Sequence, residues 1–190
     1  MPAATEVGTA IFMVFGRGPA ARVVCDTARV SAGDRVVDIG CGPGTAAREA
    51  GRHGAAATGV DPSPVMLRLA RWISRIRRAP NVSWAVGQAE KLPLPDGEAT
   101  AAWAIASLHH WADRTAGIAE AARVLAPSGR LVLAEWLTRP GARGHAAHGM
   151  SEEQAAAVAR ELTSAGLGQV TVQTRRAGHR TMLIVSAVKD

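Results

Sequence analysis

The chain has 190 residues, a length typical of one domain with a full hydrophobic core. Hydrophobic residues make up 47% of the chain and charged residues 20%, which predicts a globular protein and excludes a disordered one. The net charge of +6 would permit an acidic partner, but all except two of the 22 basic residues are Arg. Such a bias is typical of GC-rich genomes, so the charge alone does not indicate nucleic-acid binding.

Short features of the sequence narrow the cellular location. There are two cysteines, Cys25 and Cys41, and the second lies inside a glycine-rich loop, so we expect no disulfide and a reducing compartment. No apolar run reaches about 18 residues, so no membrane span is expected. The first residues include an acid and no basic n-region, which disfavours a signal peptide. We therefore predict a cytoplasmic protein.

Strand-like and helix-like segments alternate along the chain. In chain order they are strand 34–40, helix 45–54, strand 55–61, helix 63–78, strands 82–87 and 100–107, a helix ending near Ala126, strand 130–137 and helix 151–166. The tail predicts two further strands joined around Ala177 and Gly178, too close together for a helical crossover and hence antiparallel. The pattern predicts a doubly wound α/β fold with a mostly parallel sheet.

The helix over 63–78 carries two kinds of side chain. Its apolar positions predict a face buried in the core: Met66, Leu69, Trp72, Ile73 and Ile76. Its basic positions recur at helical spacing on the other side: Arg68, Arg71, Arg75 and Arg78. We favour a solvated polar face over a phosphate-binding one, because no aromatic residue is expected to interleave with the arginines.

The stretch VVDIGCGPGTAA (36–47) ends a predicted strand near a carboxylate, Asp38, and then breaks into glycines at 40, 42 and 44. A dinucleotide-binding G-x-G-x-x-G loop would place its third glycine one residue later, and Pro43 removes an N–H that a phosphate would use. No Lys follows, which excludes a Walker-type loop. Asp38 would repel a pyrophosphate and attract an ammonium group, so the loop favours a cationic, amino-acid-like ligand over a bare structural turn.

A second carboxylate narrows the ligand further. Asp61 ends the second predicted strand, 17 residues after Gly44, where this architecture binds the two hydroxyls of a ribose. A turn or helix-capping role before Pro62 is the alternative for Asp61 taken alone. Together with the glycine loop, Asp61 indicates a nucleoside that bears an amino-acid tail. That description fits S-adenosylmethionine (SAM).

Five segments, in this order, resemble the class I SAM-dependent methyltransferases. They are VVDIGCGPG (36–44), GVDPSPVML (59–67), GQAEKLPLPDG (87–97), SLHHWAD (107–113) and AEAARVLAPSGRLVLAE (119–135). The resemblance is to the small type 11 branch, which includes ubiquinone- and menaquinone-type methyltransferases, and it covers roughly residues 34–137.

The resemblance implies a Rossmann-like methyltransferase fold with seven strands in the order 3-2-1-4-5-7-6 and an antiparallel last strand. It also implies a single SAM-dependent methyltransferase domain over residues 1–190. This domain would comprise an N-terminal helical segment (1–33), a SAM-binding core (34–137), and a helix with a C-terminal β-hairpin (138–190).

The resemblance also implies roles for individual residues. Asp38 would hold the amino group of SAM, Gly40 and Gly42 would let the ligand approach the backbone, and Asp61 would bind the ribose. The full set implied to bind the cofactor is Asp38, Gly40, Cys41, Gly42, Gly44, Asp61, Pro62, Gln88, Ala89, Glu90 and Ser107. The expected product is S-adenosylhomocysteine, and no metal is expected. The sequence departs from the family pattern at Gln88, which replaces an Asp, and at Ala99-Thr100, which replace Phe-Asp.

The methyl acceptor is constrained mainly by motifs that the sequence lacks. No Asn/Asp-Pro-Pro-Tyr/Phe motif follows strand four, which disfavours amino-group methylation of adenine or glutamine. No Cys lies near strands four or five, which disfavours thiolate attack on a pyrimidine. Lys occurs only at positions 91 and 189, so a Lys-Asp-Lys-Glu ribose-methylating set cannot form.

If the acceptor must lose a proton, four histidines are candidate bases: His109, His110, His145 and His148. Packing or capping roles compete for the first two, and a solvated loop at 139–150, itself a candidate lid, competes for the others. Several apolar residues could line the acceptor pocket, although each could equally belong to the core: Phe12, Met13, Phe15, Trp111 and Trp136.

The leading hypothesis is a SAM-dependent methyltransferase that acts at oxygen or carbon of a small, partly apolar acceptor. We expect no nucleic-acid partner, and a monomer or a homodimer. A non-catalytic, methyltransferase-like binding or regulatory module is the first alternative, motivated by Gln88, Ala99 and Thr100. An RNA methyltransferase is the second, motivated by the arginine stripe.

Overall fold

The computed structural model describes residues 18–79, 81–138 and 149–190. Seven strands form one sheet in the order β3-β2-β1-β4-β5-β7-β6. They are β1 (Arg35–Ile39), β2 (Ala56–Asp61), β3 (Val82–Val86), β4 (Ala99–Ile105), β5 (Leu125–Trp136), β6 (Leu167–Ala177) and β7 (Arg180–Lys189). β7 runs antiparallel to β5 and β6, and the pairs among β1 to β5 are parallel. The predicted strand order and the antiparallel last strand are confirmed.

Five α-helices flank the sheet in the described ranges. They are α1 (Gly18–Thr27), α2 (Thr45–Arg52), α3 (Pro64–Ile76), α4 (Arg114–Val124) and α5 (Glu152–Ser164). The side chain of Ser63 caps α3 by accepting from the Met66 N–H, and Ser151 and Gln154 form the predicted capping box at α5. The helix expected to end near Ala126 ends at Val124, because Leu125 already pairs with Ala99 of β4.

The sheet buries an apolar layer on each face. Alternate residues of the central strand β4 serve the two layers: Ala102 and Ala104 face one, while Ala101, Trp103 and Ile105 face the other. Both faces of a parallel strand are covered by helices, which explains why β4 is apolar almost throughout. The cysteines Cys25 and Cys41 are both buried, and neither forms a disulfide.

The prediction of which side chains of α3 are buried in the core is partly wrong. The helix packs through Leu67, Ala70 and Ile73, whereas Trp72 and Ile76 are each 61% exposed. The reason is the position of α3 against β3, a short strand at the edge of the sheet. The sheet is too narrow there to cover the whole apolar flank of the helix. Trp72 therefore lies in solvent beside the arginines, contrary to the expectation that no aromatic residue does.

None of the described helices is both long enough and apolar enough to cross a membrane.

Candidate functional site

A cavity of about 300 Å³ opens at the carboxyl ends of β1, β2 and β4. In a doubly wound sheet this edge is where ligands bind, because the loops that leave the strands diverge there. Eight of the eleven predicted cofactor residues line it: Gly40, Gly42, Asp61, Pro62, Gln88, Ala89, Glu90 and Ser107. The volume lies at the lower end of the range found for small-molecule sites.

Asp61 joins the glycine loop to the end of β2. The residue is 8% exposed, and its carboxylate accepts hydrogen bonds from the N–H groups of Gly42, at 2.8 Å, and Ser63, at 2.9 Å. These two bonds hold the carboxylate at the wall of the cavity. A carboxylate has about four acceptor positions, so two bonds leave it able to accept from ligand hydroxyls. Gly42 has a φ of 53°, and a Cβ at this position would meet only open space, so the loop is bare toward the cavity.

Asp38 lies beneath the loop and does not line the main cavity. It is 2% exposed, and its Oδ2 accepts from the Ala47 N–H at 3.0 Å, in the first turn of α2. The residue thus serves as a cap supplied by a neighbouring strand, since Gly44 at the start of the helix has no side chain for this role. With Gly40, Cys41 and other loop residues, Asp38 lines a small void of about 10 Å³.

Gly44 and Cys41 also lie outside the main cavity. Gly44 has a φ of 76°, and a Cβ there would overlap the ring of Trp84 on β3, so this glycine is required for packing. Burial raises the pKa of the Cys41 thiol, and the negative charges of Asp38 and Asp61 raise it further. Cys41 therefore remains a protonated, unreactive thiol.

A buried arginine supports the loop from α2. Arg48 is 7% exposed and donates from Nη1 to the Pro43 carbonyl at 2.6 Å, which fixes the turn that carries the three glycines. Burial, followed by repulsion from Arg77, lowers the pKa of Arg48 to about 10, which leaves it charged at neutral pH. Sequence reasoning missed Arg48, because a single Arg in a helix gives no sign of which carbonyl it reaches.

The far side of the cavity is formed by residues 87–90 after β3. Gln88 and Lys91 form a short antiparallel bridge, and Glu90 accepts from the Asp113 N–H at 3.1 Å, which ties this loop to the segment after β4. Met66, predicted to lie in the core, is only partly buried and lines the cavity. Its helix starts immediately at the cavity, so its first turn faces the ligand space rather than the sheet.

The departures at Ala99 and Thr100 lie away from the cavity. Both residues stand at the start of β4, and the cavity lies at the carboxyl ends of the parallel strands. Ala99 is buried in the core, and Thr100 Oγ1 donates to Asp34 Oδ1 at 2.6 Å. These two residues therefore do not contribute to the lining of the cavity.

The two histidines after β4 have different environments. His109 Nδ1 lies 3.2 Å from each carboxylate oxygen of Glu135, which is 1% exposed at the end of β5 and also accepts from the Leu108 N–H at 2.8 Å. Because a carboxylate only accepts, His109 would donate to Glu135 from Nδ1. His110 lines the cavity, and its ring centroid lies 4.0 Å from that of His109.

Glu135 is the functional candidate that sequence reasoning missed. An acid at the end of an otherwise apolar strand, LVLAE, was the available signal. Ser107, which was predicted, lines the cavity and donates from Oγ to the Ile39 carbonyl at 3.0 Å, so it links the ends of β4 and β1.

The predicted acceptor-pocket residues fall into three groups. Trp111 lines the cavity, and its ring packs against Gly117 of α4. Trp136 does not line the cavity; its ring instead lies 4.0 Å from the guanidinium carbon of Arg180. The remaining candidates, His145, His148, Phe12, Met13 and Phe15, lie outside the described residues, as does most of the candidate lid.

Within the described ranges, no three His, Cys, Asp or Glu side chains come close enough together to hold a metal ion.

Comparison with known proteins identifies relatives of this chain. A demethylmenaquinone methyltransferase of Tropheryma whipplei is 39% identical over 115 residues, which are 60% of this chain and 47% of that one. A 27-O-demethylrifamycin SV methyltransferase of Amycolatopsis mediterranei is 40% identical over 117 residues, 60% of this chain and 42% of that one. The chain spans less than half the length of either relative.

A solved structure of a SAM-dependent methyltransferase from Aquifex aeolicus superimposes with a TM-score of 0.81 at 18% identity, and covers 96% of this chain and 98% of that one. This likeness shows the fold. The sequence model of a family described as a methyltransferase domain matches residues 37–133, just over half of the chain. The protein therefore belongs to this methyltransferase family.

Proposed function

We propose that the protein transfers a methyl group from SAM to a small, partly apolar acceptor, at an oxygen or carbon atom. The observation that carries the proposal is the composition of one cavity. The bare backbone of Gly42 and the pinned carboxylate of Asp61 form one wall, and His110 and Trp111 form another. Family membership supports the same chemistry.

The described residues fit the cofactor. Asp61 would accept from the ribose hydroxyls and Gln88 would accept from the adenine amino group through its amide oxygen. Asp38 would attract the methionine ammonium, directly or through water, because a buried negative charge below the loop favours a cation. The glycine loop would lie against the uncharged part of the ligand, since the open space at Gly42 lets a bulky group approach the backbone.

When bound, SAM would supply an electrophilic methyl group on a sulfonium sulfur, and transfer of that methyl to the acceptor atom would leave S-adenosylhomocysteine. The protein contributes mainly by positioning the two reactants and by excluding water. An acceptor hydroxyl or acidic carbon must lose its proton, and we propose His110 as the group that receives it, because His110 lines the cavity. Glu135 and His109 would position the turn that carries His110.

The acceptor class is inferred from the lining. Ala106, Ala112 and Trp111 provide apolar area next to His110, which suits a flat or lipophilic molecule better than a sugar phosphate. The names of the two relatives, which refer to a demethylmenaquinone and a demethylrifamycin, support the same class.

Calorimetry with S-adenosylhomocysteine tests the cofactor site, and turnover on a panel of phenols, quinones and fatty acids tests catalysis. Binding with accumulation of S-adenosylhomocysteine in the presence of an acceptor is the expected result. Binding without turnover on any acceptor would favour the non-catalytic module. Failure to bind at high micromolar concentration would refute the cofactor assignment.

We also propose a cytoplasmic location, a monomeric or homodimeric state, and a reaction that needs no metal. Activity should survive prolonged dialysis against EDTA, since positioning and proton removal are supplied by side chains. Loss of activity that added Mg²⁺ restores would contradict the metal-free mechanism.

A further inference from the structure

The outward face of α3 exposes large apolar side chains. Val65 is 48% exposed, and Trp72 and Ile76 are each 61% exposed. Their separations of seven and four residues place them on one side of the helix. Val86, at the end of the adjacent edge strand β3, is 56% exposed as well. Only one further large apolar side chain in the described ranges is comparably exposed, Val172 on β6. Exposed apolar area is thus concentrated at this edge of the sheet.

The same helix carries a dense positive charge. Arg68, Arg71 and Arg75 are exposed along it, and Arg77 and Arg78 follow at its carboxyl end. No Asp or Glu occurs between Pro62 and Ala89, so this part of the chain supplies no neutralising charge. Within the described residues none of these five arginines forms an ion pair. The face is therefore both apolar and strongly cationic.

A groove of about 420 Å³ runs between α3 and β3 and collects part of this charge. Arg71, Arg75 and Arg78 line it together with Ser74 and Trp84. Ser74 is 7% exposed, and its Oγ has no hydrogen-bond partner among the described residues. The groove is thus polar and cationic, and it lies on the side of α3 that faces β3.

We propose that this face of α3 docks on an anionic lipid bilayer. Trp72, Ile76 and Val65 would enter the interfacial region, and the exposed arginines would pair with lipid phosphates. Such a combination of apolar and basic residues on one exposed helix face is typical of proteins that lie on a membrane. Aliphatic side chains such as Val65 and Ile76 offer nothing to stacked bases, which disfavours RNA as the partner.

The inference is independent of the proposed methyl transfer, although the two surfaces are adjacent. Met66 lines the cofactor cavity, while its neighbour Val65 lies on the docking face. A bilayer against α3 would thus lie next to the catalytic cavity and would supply a lipophilic acceptor from the membrane.

The test is flotation of the full chain, without SAM, on vesicles of phosphatidylcholine alone or mixed with phosphatidylglycerol. We expect binding only to the mixed vesicles. The triple variant Arg68→Gln, Arg71→Gln, Arg75→Gln should partition roughly 100-fold more weakly, since each basic residue contributes about fivefold near an anionic surface. Trp72→Ser with Ile76→Ser should weaken partitioning by about tenfold while keeping the charge.

Matched controls are available on β6. Arg175→Gln with Arg176→Gln removes exposed charge elsewhere, and Val172→Ser removes an exposed apolar side chain elsewhere. Both controls should bind the mixed vesicles like the wild type. Unchanged thermal unfolding and unchanged S-adenosylhomocysteine binding in all variants would separate loss of docking from misfolding and from failure of the cofactor site.

Three results would overturn the proposal. The first is no binding to mixed vesicles by the wild-type chain. The second is weakening by Arg175→Gln with Arg176→Gln that equals, per charge removed, the weakening in the triple variant, which would indicate a general effect of net charge. The third is a combination of two findings: Trp72→Ser with Ile76→Ser binds the vesicles as the wild type does, and single-stranded RNA binds tightly through the same arginines. This result would identify nucleic acid as the partner.

Discussion

Single carboxylates organise the cavity by bonding to backbone N–H groups. Asp61 holds the loop at Gly42 and the start of α3 at Ser63, and Asp38 caps α2 from the neighbouring strand. Each acid therefore has a structural task that is complete before any ligand binds. A rigid carboxylate costs less ordering entropy on binding than a mobile one, so the structural and proposed ligand roles reinforce each other.

Asp61→Ala should weaken S-adenosylhomocysteine binding by about 1–3 kcal/mol, because a buried acceptor for the ribose is lost and the Gly42 N–H is left unpaired. Calorimetry measures this, and Asp26→Ala, an exposed acid on α1, is the matched control. Wild-type affinity in Asp61→Ala would show that the ribose lies elsewhere.

The second prediction concerns His110, in the turn that follows β4. His110→Ala should lower kcat by about 10²–10⁴-fold if His110 removes the acceptor proton. Single-turnover kinetics measures the loss, and unchanged S-adenosylhomocysteine binding in the variant would assign it to the chemical step. A wild-type kcat in His110→Ala would refute this role.

Glu135→Gln keeps the bond to the Leu108 N–H but removes the charge beside His109. As a change in a positioning residue, it should lower kcat and leave the KM for SAM unchanged, which steady-state kinetics can separate. Glu153→Gln, at an exposed surface acid, is the control. An equal change in kcat in this control would refute the positioning role of Glu135.

At the scale of elements, the glycine loop is held from two sides. Arg48 of α2 fixes the Pro43 carbonyl, and Trp84 of β3 packs on Gly44. The conformation of the loop therefore depends on contacts with β1, α2 and β3.

Gly44→Ala should destabilise the fold by about 1–3 kcal/mol, because the new Cβ would overlap the Trp84 ring and Ala does not tolerate a φ of 76° well. Urea unfolding gives the loss. Trp84→Ala removes the ring that the new Cβ would overlap. The double variant should therefore lose less free energy of unfolding than the sum of the losses in the two single variants. Strict additivity in this cycle would mean that Trp84 does not constrain the loop.

At the scale of the whole molecule, a polar cluster closes the end of the sheet opposite the cavity. Asp34, before β1, accepts from Ser31 and Thr100 and pairs with Arg130 of β5. Burial raises the pKa of Asp34, but the hydrogen bonds from Thr100 and Ser31 and the charge of Arg130 outweigh it, so its pKa lies below the ordinary value. The ionised form is therefore preferred in the folded state.

A lowered pKa makes Asp34 stabilising above its unfolded-state pKa, near 4, and this contribution is lost as the pH falls through the lower folded-state pKa. Asp34→Asn should reduce the free energy of unfolding by about 1–3 kcal/mol at neutral pH. The difference from the wild type should shrink below about pH 4, which urea unfolding at several pH values can follow. A difference that is constant with pH would contradict the role of the charge, and Asp26→Asn is the exposed control.

Periodicity and breakers along the chain were sufficient to predict the seven strands, four of the five helices in the described ranges and the class of fold. A buried strand such as β4 is apolar on both faces, and caps such as Ser63 and Ser151 act within one turn, so their signals are local. The resemblance to a methyltransferase family predicted the strand order and named half of the residues that line the cavity. The loops at the carboxyl ends of β1, β2 and β4 are short, so they hold their residues close to the strand ends.

Contacts between segments distant in the chain were decided only by the tertiary structure. The pairing of Glu135 with His109, and the bonds that Asp61 makes to the glycine loop, depend on which strands are neighbours in the sheet. The exposure of Trp72 depends on how far the sheet extends beneath α3. The spacing of apolar residues along a helix does not indicate how wide a surface the helix packs against. Sequence determined which residues could form each element, whereas burial and pairing were set by the edges and ends of the assembled sheet.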